Sequence, residues 1–241
     1  MNNQFIQLLE QVQNHIKTSQ EKGHSPLYFR GHGSSDWSLT CSLGRHRKEK
    51  GFESRLYYDF ISHAGSLIPR DYTTWDILFL MRHHGLPTRL LDWSESFSAA
   101  LYFAIKEFDK KSAIWALNPF SVNKKSIKSS AILNPNSDLT HSYFEFFIEK
   151  SVKFDGDVIS LYPSKNNERL LSQRGVFTLH INEHQPLEKN YRRHLKKFEL
   201  TENMVESAKE FLSLAGVNEF SMFPDLDGLE RHLKEIHKIK G

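Results

Sequence analysis

The sequence predicts an α+β protein built on a compact, twisted mixed sheet flanked by helices. Three observations carry that prediction. Apolar residues recur at helical spacing near both ends, as Phe5, Leu8, Leu9, Val12 and Ile16, and as Leu229, Leu233 and Ile236. Between them lie short apolar runs of strand length bounded by glycine, proline and polar clusters. The 241 residues are 39% hydrophobic and 25% charged, enough for a full core and too apolar for a disordered chain.

Taken in order, the N-terminal helix covers residues 4–20 and ends before Gly23. Leu27-Tyr28-Phe29 reads as a short buried strand with Arg30-Gly31 at its end, and residues 32–51 as a polar loop. Helices follow over 53–67 and 76–84. The second is well punctuated: Gly85 supplies a left-handed cap, Leu86 packs back, and Pro87 prevents continuation. Residues 88–92 form a strand, and 96–108 a helix apolar on most sides, hence buried. Strands are expected over 113–117, 158–162 and 176–180, and a less regular one over 195–200. Helices over 202–215 and 227–237 close the chain. The polar run 121–137 is expected to be a mobile insertion. No boundary divides the chain, so 1–241 reads as a single domain with a motif core over 27–180 and a helical part over 201–238.

The net charge of +3 does not mark a nucleic-acid binder. Cys41 is the one cysteine, which excludes an internal disulfide and fits a reducing compartment. Neither a signal peptide nor a run of about 18 apolar residues is visible, so a cytoplasmic protein without membrane contact is expected.

Two segments place charge where strands should be apolar. Arg30 ends one strand and is followed by glycine, a setting in which a guanidinium fork can meet a phosphate or carboxylate without crowding. The plainer alternative is a strand-end arginine paired with a core carboxylate such as Asp92. Arg89 and Asp92 interrupt a second strand on opposite faces, so each must be paired elsewhere or face a cleft. Here too a structural reading stands beside the functional one: Arg89 as a buried ion-pair arginine, and Asp92 or Ser94 as a helix cap.

The run Tyr28-Phe29-Arg30-Gly31, with Trp37-Ser38-Leu39 downstream, resembles the opening of the FRG domain, named for its Phe-Arg-Gly motif. The segment from Gly85-Leu86-Pro87-Thr88-Arg89 through Leu91-Asp92-Trp93-Ser94 to Ala100-Leu101-Tyr102-Phe103-Ala104 is similar to that family's most specific stretch. Glu168-Arg169-Leu170 with Gln173-Arg174-Gly175, and Phe223-Pro224-Asp225-Leu226, resemble its later motifs. The resemblance implies a bacterial or phage cytosolic protein linked to toxins, phage defence or mobile elements.

The layout also resembles the ADP-ribosyltransferase fold, and that resemblance implies NAD as co-substrate. Arg30 would hold the dinucleotide phosphates, Thr88 or Ser94 would stand near the nicotinamide ribose, and Gln173 would occupy the catalytic acid's place. Because glutamine is neutral, Glu168 or Asp92 would have to supply the charge that stabilises the cationic sugar. Gly31, His84, Thr88, Arg89, Trp93, Ser94 and Arg169 are the accompanying substrate-binding candidates. The acceptor would be a protein or a nucleic acid. The alternative is a non-catalytic module that binds a nucleotide or nucleic acid, with Lys189, Arg192, Arg193, Lys196 and Lys197 adding phosphate contacts. No metal is expected: His83, His84 and Asp92 are the best cluster, and adjacent helical histidines diverge. Cys41 has no identifiable base, and no phosphate-binding glycine loop is present. On this reading Arg30, Arg89, Asp92 and Gln173 line one cleft.

Overall fold

A computed structural model describes residues 1–46, 49–163 and 168–239. In chain order the elements are α1 (Asn3–Glu21), β1 (Tyr28–His32), α2 (Ser42–His46), α3 (Phe52–Ala64), α4 (Thr74–His83), β2 (Leu90–Ser94), α5 (Phe97–Lys106), β3 (Lys111–Leu117), α6 (Pro119–Ile127), α7 (Pro135–Asp138), β4 (Val158–Leu161), α8 (Glu168–Ser172), β5 (Gly175–His180), α9 (Leu187–Tyr191), β6 (Leu195–Thr201), α10 (Glu202–Leu214), α11 (Glu219–Met222) and α12 (Leu226–Ile236). The α+β class holds.

Among the described residues, six strands lie in the order β4-β5-β2-β1-β3-β6, and the pairings between these strands are antiparallel. The pairing is uneven. β2 runs against β5 over five residues and β3 against β6 over seven, whereas β1 and β2 share one pair, Phe29 with Ser94. The sheet is therefore parted at its middle. Helix α5 closes one side of that parting, and Gly31 is what admits it: a Cβ there would lie 1.9 Å from the Ala100 carbonyl oxygen and 2.6 Å from the Ala104 nitrogen. The glycine after Arg30 thus makes room for a helix backbone, a correction to the expectation that it keeps space for an anion.

Three apolar clusters cover the sheet. One joins α1, α5 and α10 to β1, β3 and β6 through Phe5, Val12, Phe29, Leu101, Ile114, Phe198 and Leu212. The second packs α3, α4 and a π-helical turn, Phe144–Ile148, on Leu90, Ile159, Phe177 and Leu179. The third gathers Tyr28, Leu39, Leu91, Trp93, Val122, Val176 and Tyr191. Local caps agree with this plan: Thr73 and Asp76 form a reciprocal capping box on α4, and Ser96 caps α5.

Residues 121–137 form no loose insertion. Asn118 and Asn134 cap α6 and α7, each with proline at the start of the helix. Buried Asn123 donates to the carbonyls of Ala131 and Ser160 and accepts from the Ser160 amide. The expected loop after β1 likewise contains α2, anchored by buried Leu39, Cys41 and Leu43. Among the described residues no helix is long and apolar enough to cross a membrane.

Candidate functional site

A cleft opens where β1 and β2 part. It has two adjoining chambers, of about 400 and about 280 Å³, which share Arg82, Asp92, Arg169 and Gln173. The first also reaches Phe79, His84 and Phe177; the second reaches Arg30, Trp37, Arg45, Ser94, Phe103 and Glu107.

The parted sheet explains the posture of Arg30. Its Nη1 donates to the Asp92 main-chain oxygen at 2.6 Å, replacing a ladder bond that β1 and β2 do not make, and lies 3.6 Å from the Asp92 carboxylate. Its Nε donates to Nε2 of His32 at 3.0 Å. Burial pushes Arg30 down to about 10, with Asp92 resisting and Arg82 and Arg45 assisting, so it remains charged at neutral pH. His32 is buried and pushed down to about 3, chiefly by burial and next by Arg30, so it is a neutral acceptor.

Arg82, on the last turn of α4, grips the Asp92 carboxylate with both Nε and Nη2. Burial works to raise the Asp92 carboxyl, but Arg82 and Arg30 outweigh it and hold it below the ordinary aspartate value. Arg169, from α8, is half-buried and is lowered by burial and by Arg82. Gln173 precedes a turn in which Arg174 adopts a left-handed conformation, φ 47°, and redirects the chain into β5. Ser94 Oγ donates to the Gln173 main-chain oxygen at 2.6 Å, and the Gln173 amide donates to the Met222 carbonyl at 2.9 Å.

Of the residues expected here, Arg30, Gly31, His84, Asp92, Ser94, Arg169 and Gln173 line the cleft. Trp93 borders it, but its indole is buried and donates to Thr178 at 3.0 Å. Three expectations are corrected. Arg89 is buried elsewhere, bidentate to Glu53 at 2.6 and 2.7 Å and bonded to Glu183 at 2.9 Å, with its guanidinium 4.7 Å from the Phe147 ring centroid. Thr88 is buried outside the cleft, where its hydroxyl accepts from the Leu90 amide. Glu168 is exposed and lines neither chamber.

Arg82, Arg45, Glu107 and Trp37 are among the cleft residues that sequence reasoning did not assign to a site. Arg82 reads as a helix-end cation, Arg45 falls in the expected polar loop, and Glu107 in the expected helix over 96–108. Trp37 lay inside a recognised motif without an assigned role. The C-terminal segment also reaches the site, because the Phe223 ring packs under Arg169, Lys106 and Arg231. Cys41 is buried and its thiol is pushed up to about 11, chiefly by burial. Among the described residues no group of three His, Cys, Asp or Glu could hold a metal ion.

A family model described as FRG domain matches residues 25–113. That span contains Arg30, Arg82, Asp92 and Glu107 and stops before Arg169 and Gln173. No curated protein and no solved structure matches the chain.

Proposed function

We propose that this chain, which carries an FRG domain over residues 25–113, binds a nucleotide through its phosphates in the arginine-lined cleft. The ligand proposed is NAD, and the reaction is transfer of ADP-ribose. The observation that carries the reading is the convergence of Arg30, Arg82 and Arg169, from three separate elements, on one cleft. Guanidinium forks match the paired oxygens of phosphates, and a diphosphate is the part of NAD that most needs neutralising. Two chambers meeting at the arginines suit a ligand with two halves joined by a diphosphate. Arg30, Ser94 and Gln173 border the same chamber, in the arrangement the ADP-ribosyltransferase resemblance implies.

In the proposed step the ribose C1′–nicotinamide bond breaks and its electron pair leaves with nicotinamide. An acceptor nucleophile then bonds to C1′ and releases its proton. Positive charge develops on the sugar, so a nearby carboxylate is needed. Asp92 is held by Arg82, and Glu168 stands outside the cleft. Glu107 borders the second chamber and makes no side-chain hydrogen bond or ion pair to the described residues, so the role falls to it. The setting implied by the family resemblance is a cytoplasmic bacterial toxin or phage-defence effector.

The test is incubation with labelled NAD and protein, DNA and RNA acceptors, alongside Arg30→Ala. Nicotinamide release or label transfer by the wild type and its loss in the variant are expected. A second reading, binding without chemistry, is favoured by the neutral amide of Gln173 and the committed charge of Asp92. NAD binding with neither nicotinamide release nor transfer would select it.

A further inference from the structure

We infer that Trp37 is the stacking platform for a flat nitrogen heterocycle of the bound nucleotide, a subsite that rests on the phosphate-binding reading of the same cleft. The chain has four tryptophans. Trp75 and Trp93 are buried, Trp115 is partly buried, and Trp37 alone is exposed, at 44%. An indole left in water forgoes the burial that ordinarily retains it. This one stands on the wall of the second chamber, which Arg30 and Arg45 also line.

The loop that carries Trp37 is fixed. The Ser35 amide donates to the Lys111 carbonyl at 2.7 Å, and Lys197 Nζ donates to the Ser35 carbonyl at 2.7 Å. The loop is therefore tied to β3 directly and to β6 through a side chain. His32 meets the indole at a centroid distance of 6.0 Å and a tilt of 58°, bracing it from below. Arg30 and Trp37, each meeting His32 and both lining this chamber, thus offer it the two surfaces that a ribose-linked phosphate and its base require: a cationic fork and an aromatic face. Stacking tolerates any flat ring, so the geometry admits either end of NAD, adenine or nicotinamide.

The exposed indole also gives the test. Titrating the wild type with NAD is expected to quench tryptophan emission saturably and to protect it from acrylamide, whereas inorganic pyrophosphate leaves emission unchanged. By calorimetry, Trp37→Ala is expected to weaken NAD binding by about 10- to 100-fold while changing pyrophosphate binding by less than about twofold. Trp37→Phe, which keeps a flat ring, should retain NAD affinity within about fivefold. Comparing ADP-ribose with nicotinamide mononucleotide identifies the ring: whichever quenches is the one that stacks. Equal NAD affinity in wild type and Trp37→Ala, or pyrophosphate binding without NAD binding, overturns the subsite and leaves the anion cleft standing. If neither NAD nor pyrophosphate binds the wild type, both readings fall. Should Trp37→Ala not fold, the quenching and the phenylalanine variant still decide.

Discussion

Arg30 serves the sheet and the cleft at once, so its removal should register twice. Arg30→Ala leaves the Asp92 carbonyl without a partner, which costs about 1–3 kcal/mol of stability by urea unfolding. It also removes a charged donor from the ligand, and calorimetry should show NAD binding weakened by at least about tenfold. Glu107→Gln should separate binding from chemistry: nicotinamide release falls about 100-fold or more, with NAD affinity within about threefold. Two buried histidines set the acid limit of the fold. His32 and His180 are both pushed down to about 3, mainly by burial, against an ordinary value near 6.5. Their neutral forms are favoured in the fold, so their contribution is complete above about pH 6.5 and is lost as pH falls and the unfolded chain takes up protons. Each should remove about 2 kcal/mol between pH 6.5 and 5. His180→Gln should halve that loss in urea unfolding measured at the two pH values. Asp92, lowered from the usual aspartate value, keeps its contribution throughout this window, losing it only as pH falls through its depressed folded value.

Helix α5 presses on β1 more closely than side chains permit, and two glycines provide a contrast. Gly31→Ala forces a Cβ into the Ala100 carbonyl and should cost at least about 3 kcal/mol, or prevent folding. Gly85→Ala meets nothing within 4 Å and suffers only its left-handed φ of 79°, so about 1 kcal/mol is expected from thermal unfolding. The turn at Gly85 was legible because backbone punctuation is written locally: cap, packing residue and proline are consecutive. Gly31 was misread because its constraint comes from a helix some 70 residues downstream. Residues 121–137 were misread for a different reason. Their composition is polar, yet the Asn118-Pro119 and Asn134-Pro135 pairs announce helix starts; α6 is held by buried Asn123 together with buried Val122, and α7 by Asn136, which donates to Asp76 at 2.9 Å.

Across the whole molecule, the apolar runs located all six strands, since burial on a sheet leaves a short, dense apolar mark. The cleft was only half legible. A charge inside an apolar strand looks the same whether a distant carboxylate or a ligand will satisfy it. Arg30 and Asp92 proved to line the cleft and to be paired there as well, Arg30 lying 3.6 Å from the Asp92 carboxylate and Arg82 gripping it, while Arg89 found Glu53, 36 residues away in sequence, and Glu183 beyond β5. Arg89, immediately before β2, therefore joins α3, the segment after β5 and, through Tyr143 on Glu53, the residue that caps the π-helical turn. Arg89→Met should strand two carboxylates and destabilise by about 3–5 kcal/mol in chemical denaturation.

The single Phe29–Ser94 pair divides the sheet into two three-stranded ribbons, β4-β5-β2 and β1-β3-β6, that meet at a seam. Arg30 belongs to one ribbon; Arg169 and Gln173 sit at the entry to β5 on the other. A ligand held by both sides would act as a tie across the seam, joining halves that the backbone scarcely joins. Amide exchange along β2 would then slow on binding, although no hydrogen bond within the ladder has changed.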